Sequence, residues 1–254
     1  MKRKLGLFLL IIALGYAGWI FFSNNSHPLL DRKTQAQMAP YLLPQNHPLK
    51  PQLDSIFSRQ RALENPKALR EAGFDIVIAM PHSFIIVARH PSMPGYIFKL
   101  YLDSETRRKN NISPTEWLIR RCQGAAKIRK IIKKEKIKHF VVPDKWLYVL
   151  PLSPASHELD PKPVLLVETD MNLESHPLTA LAWKTAIEPE HLQELYAIIK
   201  KGVGSIHVVS NIPYTKEGKF AFIDTENIHQ PLKLKKVKKY LSPDMQLFWD
   251  RLIE

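Results

Sequence analysis

Residues 202–227, GVGSIHVVSNIPYTKEGKFAFIDTEN, constrain the fold more than any other part of the chain. Two short runs suited to extended backbone, 212–215 and 220–223, flank the turn Lys216-Glu217-Gly218-Lys219, in which Gly218 can take a positive φ without steric cost. The stretch predicts a β-hairpin. Facing Thr215 with Phe220 sets Asn211 opposite Asp224, and opposed residues in an antiparallel pair lie only about 5 Å apart. An amide oxygen beside a carboxylate can hold a hard divalent cation over a phosphate chain. The alternative is a surface hairpin that ends in Asn and Asp, two residues common at turns.

Upstream, three apolar runs rich in Ile, Val, Phe and Tyr (74–80, 83–89 and 96–102) are separated by Pro-His and by His-Pro-Ser-Met-Pro-Gly. They predict a small antiparallel sheet. In the third run, YIFKLYL, alternation puts Ile97, Lys99 and Tyr101 on one face. If that face is buried, Lys99 must meet an anion or lose its charge, because burying an unpaired ammonium is costly. The alternative is an edge-strand lysine facing solvent. Residues 114–136 predict a long helix, with Leu118, Cys122, Ala125, Ile128 and Ile132 at helical spacing. Glu116, Arg120, Gln123 and Lys127 lie on its polar face, where Glu116 can pair with Arg120 four residues on. Residues 140–150 and 164–168 read as two further strands. Residues 190–201 read as a helix stopped by Gly202, and 243–254 as a last helix with Ser242 as N-cap and Pro243 in its first turn. Residues 54–72 read as helical, with Pro66 breaking or restarting the helix.

Asn211, the FIDTE run around Asp224, and Lys99 in a third strand together resemble the protein kinase-like superfamily. In that family the catalytic-loop Asn and the DFG Asp end two such strands. Here Thr225 and Glu226 replace the Phe and Gly. The resemblance implies an α+β fold: a small antiparallel sheet lobe, 53–167, and a minimal helical lobe, 168–254. It implies that Mg²⁺ sits on Asn211 and Asp224, that Lys99 holds the phosphates of ATP, and that Glu116, on the helix after the third strand, supports Lys99. The run PVLLVETDMNL resembles the strand and hinge between the lobes, with Glu168 and Thr169 at the crossover. Two departures point to a pseudokinase or a divergent nucleotide-binding scaffold. Ile206 stands where the catalytic base is expected, and Ile cannot accept a proton. The first connection, Met80-Pro81-His82-Ser83, has no glycine to grip phosphates through backbone amides. If the protein is an enzyme, the resemblance makes it a phosphotransferase.

The basic end MKRK precedes residues 5–22, eighteen residues without charge. About 20 apolar residues span a bilayer, with roughly 17 as the lower limit. The run predicts an uncleaved transmembrane anchor, with a cleaved secretory signal as the alternative. Lys2, Arg3 and Lys4 would stay in the cytoplasm, placing the remainder across the membrane. Residues 23–52 read as a Pro-rich stalk. The net charge of +13 favours acidic partners. Lysines and arginines cluster along 120–138 and again along 233–239, suited to anionic lipid at about 1 kcal/mol per basic residue or to an acidic protein. Aromatic residues are not interleaved with them, which argues against nucleic acid bound as single strands. The competing function is therefore an envelope structural or interaction protein with no nucleotide site. With Cys122 as the single cysteine, no intramolecular disulfide can form. None of the ten histidines has a zincin spacing.

Overall fold

The computed structural model describes residues 27–228 and 232–254. They fall into two units, one ending at Pro40 and one spanning Tyr41–Glu254. The apolar run 5–22, expected to be the anchor, lies outside the described residues. Among the described residues, no helix is long and apolar enough to cross a membrane. In the first unit, Asp31 accepts a hydrogen bond from Thr34 N at 2.8 Å and starts helix α1 (Arg32–Met38). The stretch read as a stalk thus contains a short capped helix.

The second unit begins with α2 (Lys50–Phe57) and α3 (Pro66–Glu71). The single helix expected over 54–72 is two: the chain leaves helical geometry after Phe57 and restarts at Pro66. There the Asn65 side chain caps Lys67 N and Ala68 N, both at 3.0 Å. Proline at the first helical position sacrifices no hydrogen bond. Strands β1 (Asp75–Ala79), β2 (Ile86–Arg89) and β3 (Tyr96–Leu100) follow, then α4 (Pro114–Glu135), β4 (Phe140–Val141), β5 (Lys145–Val149) and β6 (Val164–Thr169). Pro143 lacks an N–H and splits the expected strand 140–150 into β4 and β5. The chain ends with α5 (His176–Thr185), α6 (Pro189–Ile199), α7 (Val208–Asn211), β7 (Phe220–Ala221) and α8 (Pro243–Ile253).

The architecture is α+β. One five-stranded sheet has the order β1-β2-β3-β6-β5, antiparallel at every pairing. Its apolar face closes over α2 and α3 in a first core containing Phe57, Phe74, Phe98 and Tyr148. Helix α4 lies against β5 and β6. Ser113 caps its start, accepting from Glu116 N at 3.1 Å, and Lys136 ends it with φ +55°. Gly124 permits a close approach on this helix: a Cβ there would stand 1.8 Å from Thr225 O.

A second core gathers α5, α6, β4, β7 and α8 around Phe140, Trp183, Phe220, Phe222 and Trp249. The sequence reading had no helix at α5. Ser175 caps it, and Trp183 anchors it by donating from its indole N–H to Ile212 O at 3.0 Å. A fully buried tryptophan needs such an acceptor. Strands β4 and β7 pair in parallel, Phe140 with Phe220, an unforeseen link between distant parts of the chain.

The two runs meet antiparallel, but 212–215 is not a strand and joins β7 only through a bridge at Tyr214, with the register shifted by one residue. Tyr214, not Thr215, faces Phe220. Ala221 N donates to Pro213 O at 2.9 Å and Ile223 N to Asn211 O at 3.1 Å, so Asn211 stands opposite Ile223 rather than Asp224. The turn sets the slip: Thr215 N donates to Lys219 O at 2.8 Å, and Gly218 takes φ +78°. Asn211 itself belongs to the short helix α7, not to a strand.

Candidate functional site

A cavity of about 240 Å³ opens between the sheet and the hairpin. Its apolar wall comes from β1 and β2, with Val77, Ile78 and Val87. Its polar end carries Lys99, Arg121, Glu168, Asn211 and Asp224. Lys99, Asn211 and Asp224, far apart in sequence, thus line one cavity. Strand alternation brings Ile97 and Lys99 to it together.

Glu116 does not line the cavity. Its carboxylate accepts from Arg120 Nε at 2.9 Å on the outer face of α4. The reason is periodicity, because Glu116 shares the polar stripe with Arg120. Lys99 instead finds its carboxylate on the neighbouring strand. Its Nζ lies 2.9 Å from Glu168 Oε1, while Lys145 Nζ lies 2.7 Å from Oε2 of the same group. All three side chains are at least nine-tenths buried. Both lysines also donate to Ile223 O, at 2.9 and 2.8 Å, which fixes the backbone just before Asp224.

Two lysines on one carboxylate leave this triad with a positive charge. Burial pushes the Lys145 ammonium down to about 8, against the pull of Glu168. Burial also opposes the charge on Glu168, but Lys145 and Lys99 outweigh it and hold the carboxyl below its ordinary range. For Asp224 burial again opposes ionisation, and Arg121, Lys99 and Lys145 together overcome it and lower its pKa.

Arg121 comes from α4, one helical turn past Leu118 on the buried stripe. Its side chain is 4 % exposed, with Nη2 2.6 Å from Glu226 Oε2 and 3.5 Å from Asp224 Oδ1. Its Nε and Nη1 have no hydrogen-bond partner among the described residues. An unmade hydrogen bond on a buried group costs about 1–3 kcal/mol. Lys109 holds the other oxygen of Glu226 at 2.7 Å. Thr225 Oγ1 donates to Arg121 O at 2.6 Å, locking the segment after Asp224 onto α4 where Gly124 leaves room.

These partners bear on the expected magnesium site. Mg²⁺ needs near-octahedral oxygen ligands, usually one or two carboxylates with waters and phosphate. Asp224 already faces a guanidinium and Glu226 is taken by Arg121 and Lys109; Asn211 donates its amide N–H to Ser205 Oγ at 2.9 Å, a bond that does not occupy its oxygen. The donor set fits a dication poorly. The catalytic-base position holds Ile206, packed against the second core. The β1–β2 connection closes through Met80 N to Ile85 O at 3.0 Å and Phe84 N to Met80 O at 2.8 Å.

Three residues of this charged cluster are not singled out by the sequence. Lys145 opens KWLYV directly after Pro143 and Asp144, so it lacks the apolar flanks on both sides that mark Lys99. Arg121 was grouped with the basic face, although it lies three residues after Leu118 and four before Ala125. Glu168 was read as a hinge residue rather than a counter-ion. Elsewhere, His139, Glu190 and Glu194 bring ligand-type atoms within 4.8 Å of one another. Glu194 accepts from the backbone N–H of Lys138 at 2.9 Å and of His139 at 3.0 Å, tying the start of β4 to α6.

No family model matches the chain, and no curated protein matches it. Among solved structures, the chain is similar to the MAP kinase LmaMPK10 from Leishmania major, at 16 % identity and a TM-score of 0.31. The similarity covers 64 % of this chain and 48 % of the kinase, about half its length, and is too loose to carry an argument.

Proposed function

We propose that this chain is a kinase-like pseudokinase, a scaffold that binds a nucleotide in the cavity between its sheet and its hairpin. One observation carries the reading: Lys99, Asn211 and Asp224, the residues expected at a nucleotide, meet at one cavity with an apolar wall. The wall suits a base and the cationic end suits phosphates. The strand order, with a long helix against β5 and β6, supports a kinase-like small lobe. Phosphoryl transfer is not part of the proposal, because Ile206 cannot act as a base and the β1–β2 connection has no glycine.

The test is a thermal-shift titration of the full chain with ATP in mild detergent, beside Lys99→Met. That variant leaves the Lys145–Glu168 pair balanced, so it is expected to fold. Ligand at about 100 times its dissociation constant adds about 2.7 kcal/mol. The reading expects stabilisation of the native chain and its loss in the variant. No shift at millimolar ATP would refute it.

Exposed lysines favour a second, compatible role at an acidic surface. Lys130, Lys133 and Lys134 are exposed at the end of α4, and Lys233, Lys235, Lys236 and Lys239 near the 3-10 turn Leu234–Tyr240. With residues 5–22 as a tether, this basic surface would meet anionic lipid. Co-sedimentation with phosphatidylserine vesicles, but not with neutral ones, is the expected result.

A further inference from the structure

We propose that the cavity takes the phosphates of its nucleotide without a divalent cation, with the Arg121 guanidinium supplying the positive charge that a metal would otherwise bring. The inference rests on the nucleotide reading above and goes beyond it by assigning the phosphate-binding group. Arg121 is 4 % exposed and lines the cavity, yet two of its guanidine nitrogens have no partner among the described residues. A buried guanidinium with spare donors is an incomplete hydrogen-bond site, and its planar fork matches phosphate oxygens.

Charge points the same way. Among the described residues, Lys99, Lys145, Arg121 and Lys109 pair with Glu168, Asp224 and Glu226, so four cations meet three carboxylates. That single positive excess favours an anion over a bare dication at the site, and the spare guanidine donors, rather than the charge count, are what would hold phosphate oxygens. Asp224, the carboxylate expected to hold a metal, already lies 3.5 Å from the Arg121 guanidinium. Asp224 then has a role opposite to a metal ligand: it keeps the guanidinium in place while no phosphate is bound, and its charge opposes the incoming anion.

The signs of two substitutions separate these roles. ATP binding to the full chain would be measured calorimetrically in EDTA and again in excess Mg²⁺, for the native chain, Asp224→Asn and Arg121→Gln, each checked by circular dichroism. The proposal expects binding in EDTA at least as tight as in Mg²⁺, and tighter binding by Asp224→Asn. Arg121→Gln should weaken binding roughly ten- to hundredfold, the worth of a charge-assisted hydrogen bond. Should Arg121→Gln fail to fold, the Asp224→Asn arm still decides. Binding that requires Mg²⁺, or that Asp224→Asn abolishes, would overturn the inference while leaving the nucleotide reading intact. No binding in either buffer would instead remove the nucleotide reading, and this inference with it.

Discussion

Lys99 on β3 pairs with Glu168 on β6, 2.9 Å apart and buried. The carboxylate therefore comes from the adjacent strand, not from the long helix, and Lys145 shares it. Glu168→Gln should be among the most damaging single changes in the protein, because it leaves two buried ammonium groups without a counter-charge. Breaking a buried pair in this way costs about 3–5 kcal/mol. Lys99→Met removes one cation from a site with an excess of them and should cost clearly less. Urea unfolding of both variants, compared with the native chain, checks the order.

Lys145 gives the fold a pH dependence on the alkaline side. Its ammonium is pushed to about 8 in the folded chain, against 10.5 ordinarily. Between those values the unfolded chain binds a proton that the folded chain has lost, so stability rises with pH, with a slope on the order of 1 kcal/mol per pH unit. Cys122 and Tyr101, both raised to about 12 by burial, pull the other way once pH passes their ordinary 9 and 10. The rise should therefore be sharpest between about 8 and about 9. It should be missing from Lys145→Met, so the difference between the two stability curves should show it.

Gly124→Ala should destabilise the protein, although alanine is the better helix former by about 1 kcal/mol. Its Cβ would stand 1.8 Å from Thr225 O, a backbone atom that cannot rotate away. Relief would require lifting the 224–226 segment off α4 and giving up the 2.6 Å bond from Thr225 Oγ1 to Arg121 O. Overpacking of this kind costs about 1–3 kcal/mol. A lower melting temperature, together with weaker ATP binding, is the expected pair of results.

Cys122 should be inert in the native chain. It is buried, and burial raises its thiol to about 12, so very little thiolate is available near neutral pH. A thiol reagent should label it only at the rate of unfolding, and labelling should quicken in urea. Rapid labelling of the folded chain would contradict the packing of α4 on the sheet.

Much of the fold was legible in the sequence, and the errors have physical causes. Alternation in YIFKLYL and Pro243 in a first helical turn mark elements that the structure contains, because both are local signals, although Ser242 at that helix start makes no side-chain capping bond. The hairpin was legible but its register was not, since a turn that closes on Lys219 rather than Phe220 moves every pair by one. Helix α5 was missed because its apolar residues, Leu178, Leu181, Ala182 and Trp183, give only a weak stripe, and two of them are exposed. At the candidate site, Lys99, Asn211 and Asp224 could be named from residue type and order. The partners of Lys99 could not, because Glu168 meets it only through the β3–β6 pairing across more than sixty residues of chain. Arg121 was hidden by its basic neighbours: a charge run on a helix reads as solvated, and only its position within the apolar stripe betrays the buried member.

The most direct test of the account is hydrogen–deuterium exchange on the full chain, with and without ATP in EDTA. The account predicts slower exchange confined to the cavity walls: β1 and β2, the end of β6, and the segment from Ser210 to Glu226. Protection at the lysines of 233–239 alone would mean that ATP binds there as a simple polyanion, and that result, or no protection anywhere, would contradict a nucleotide site in the cavity.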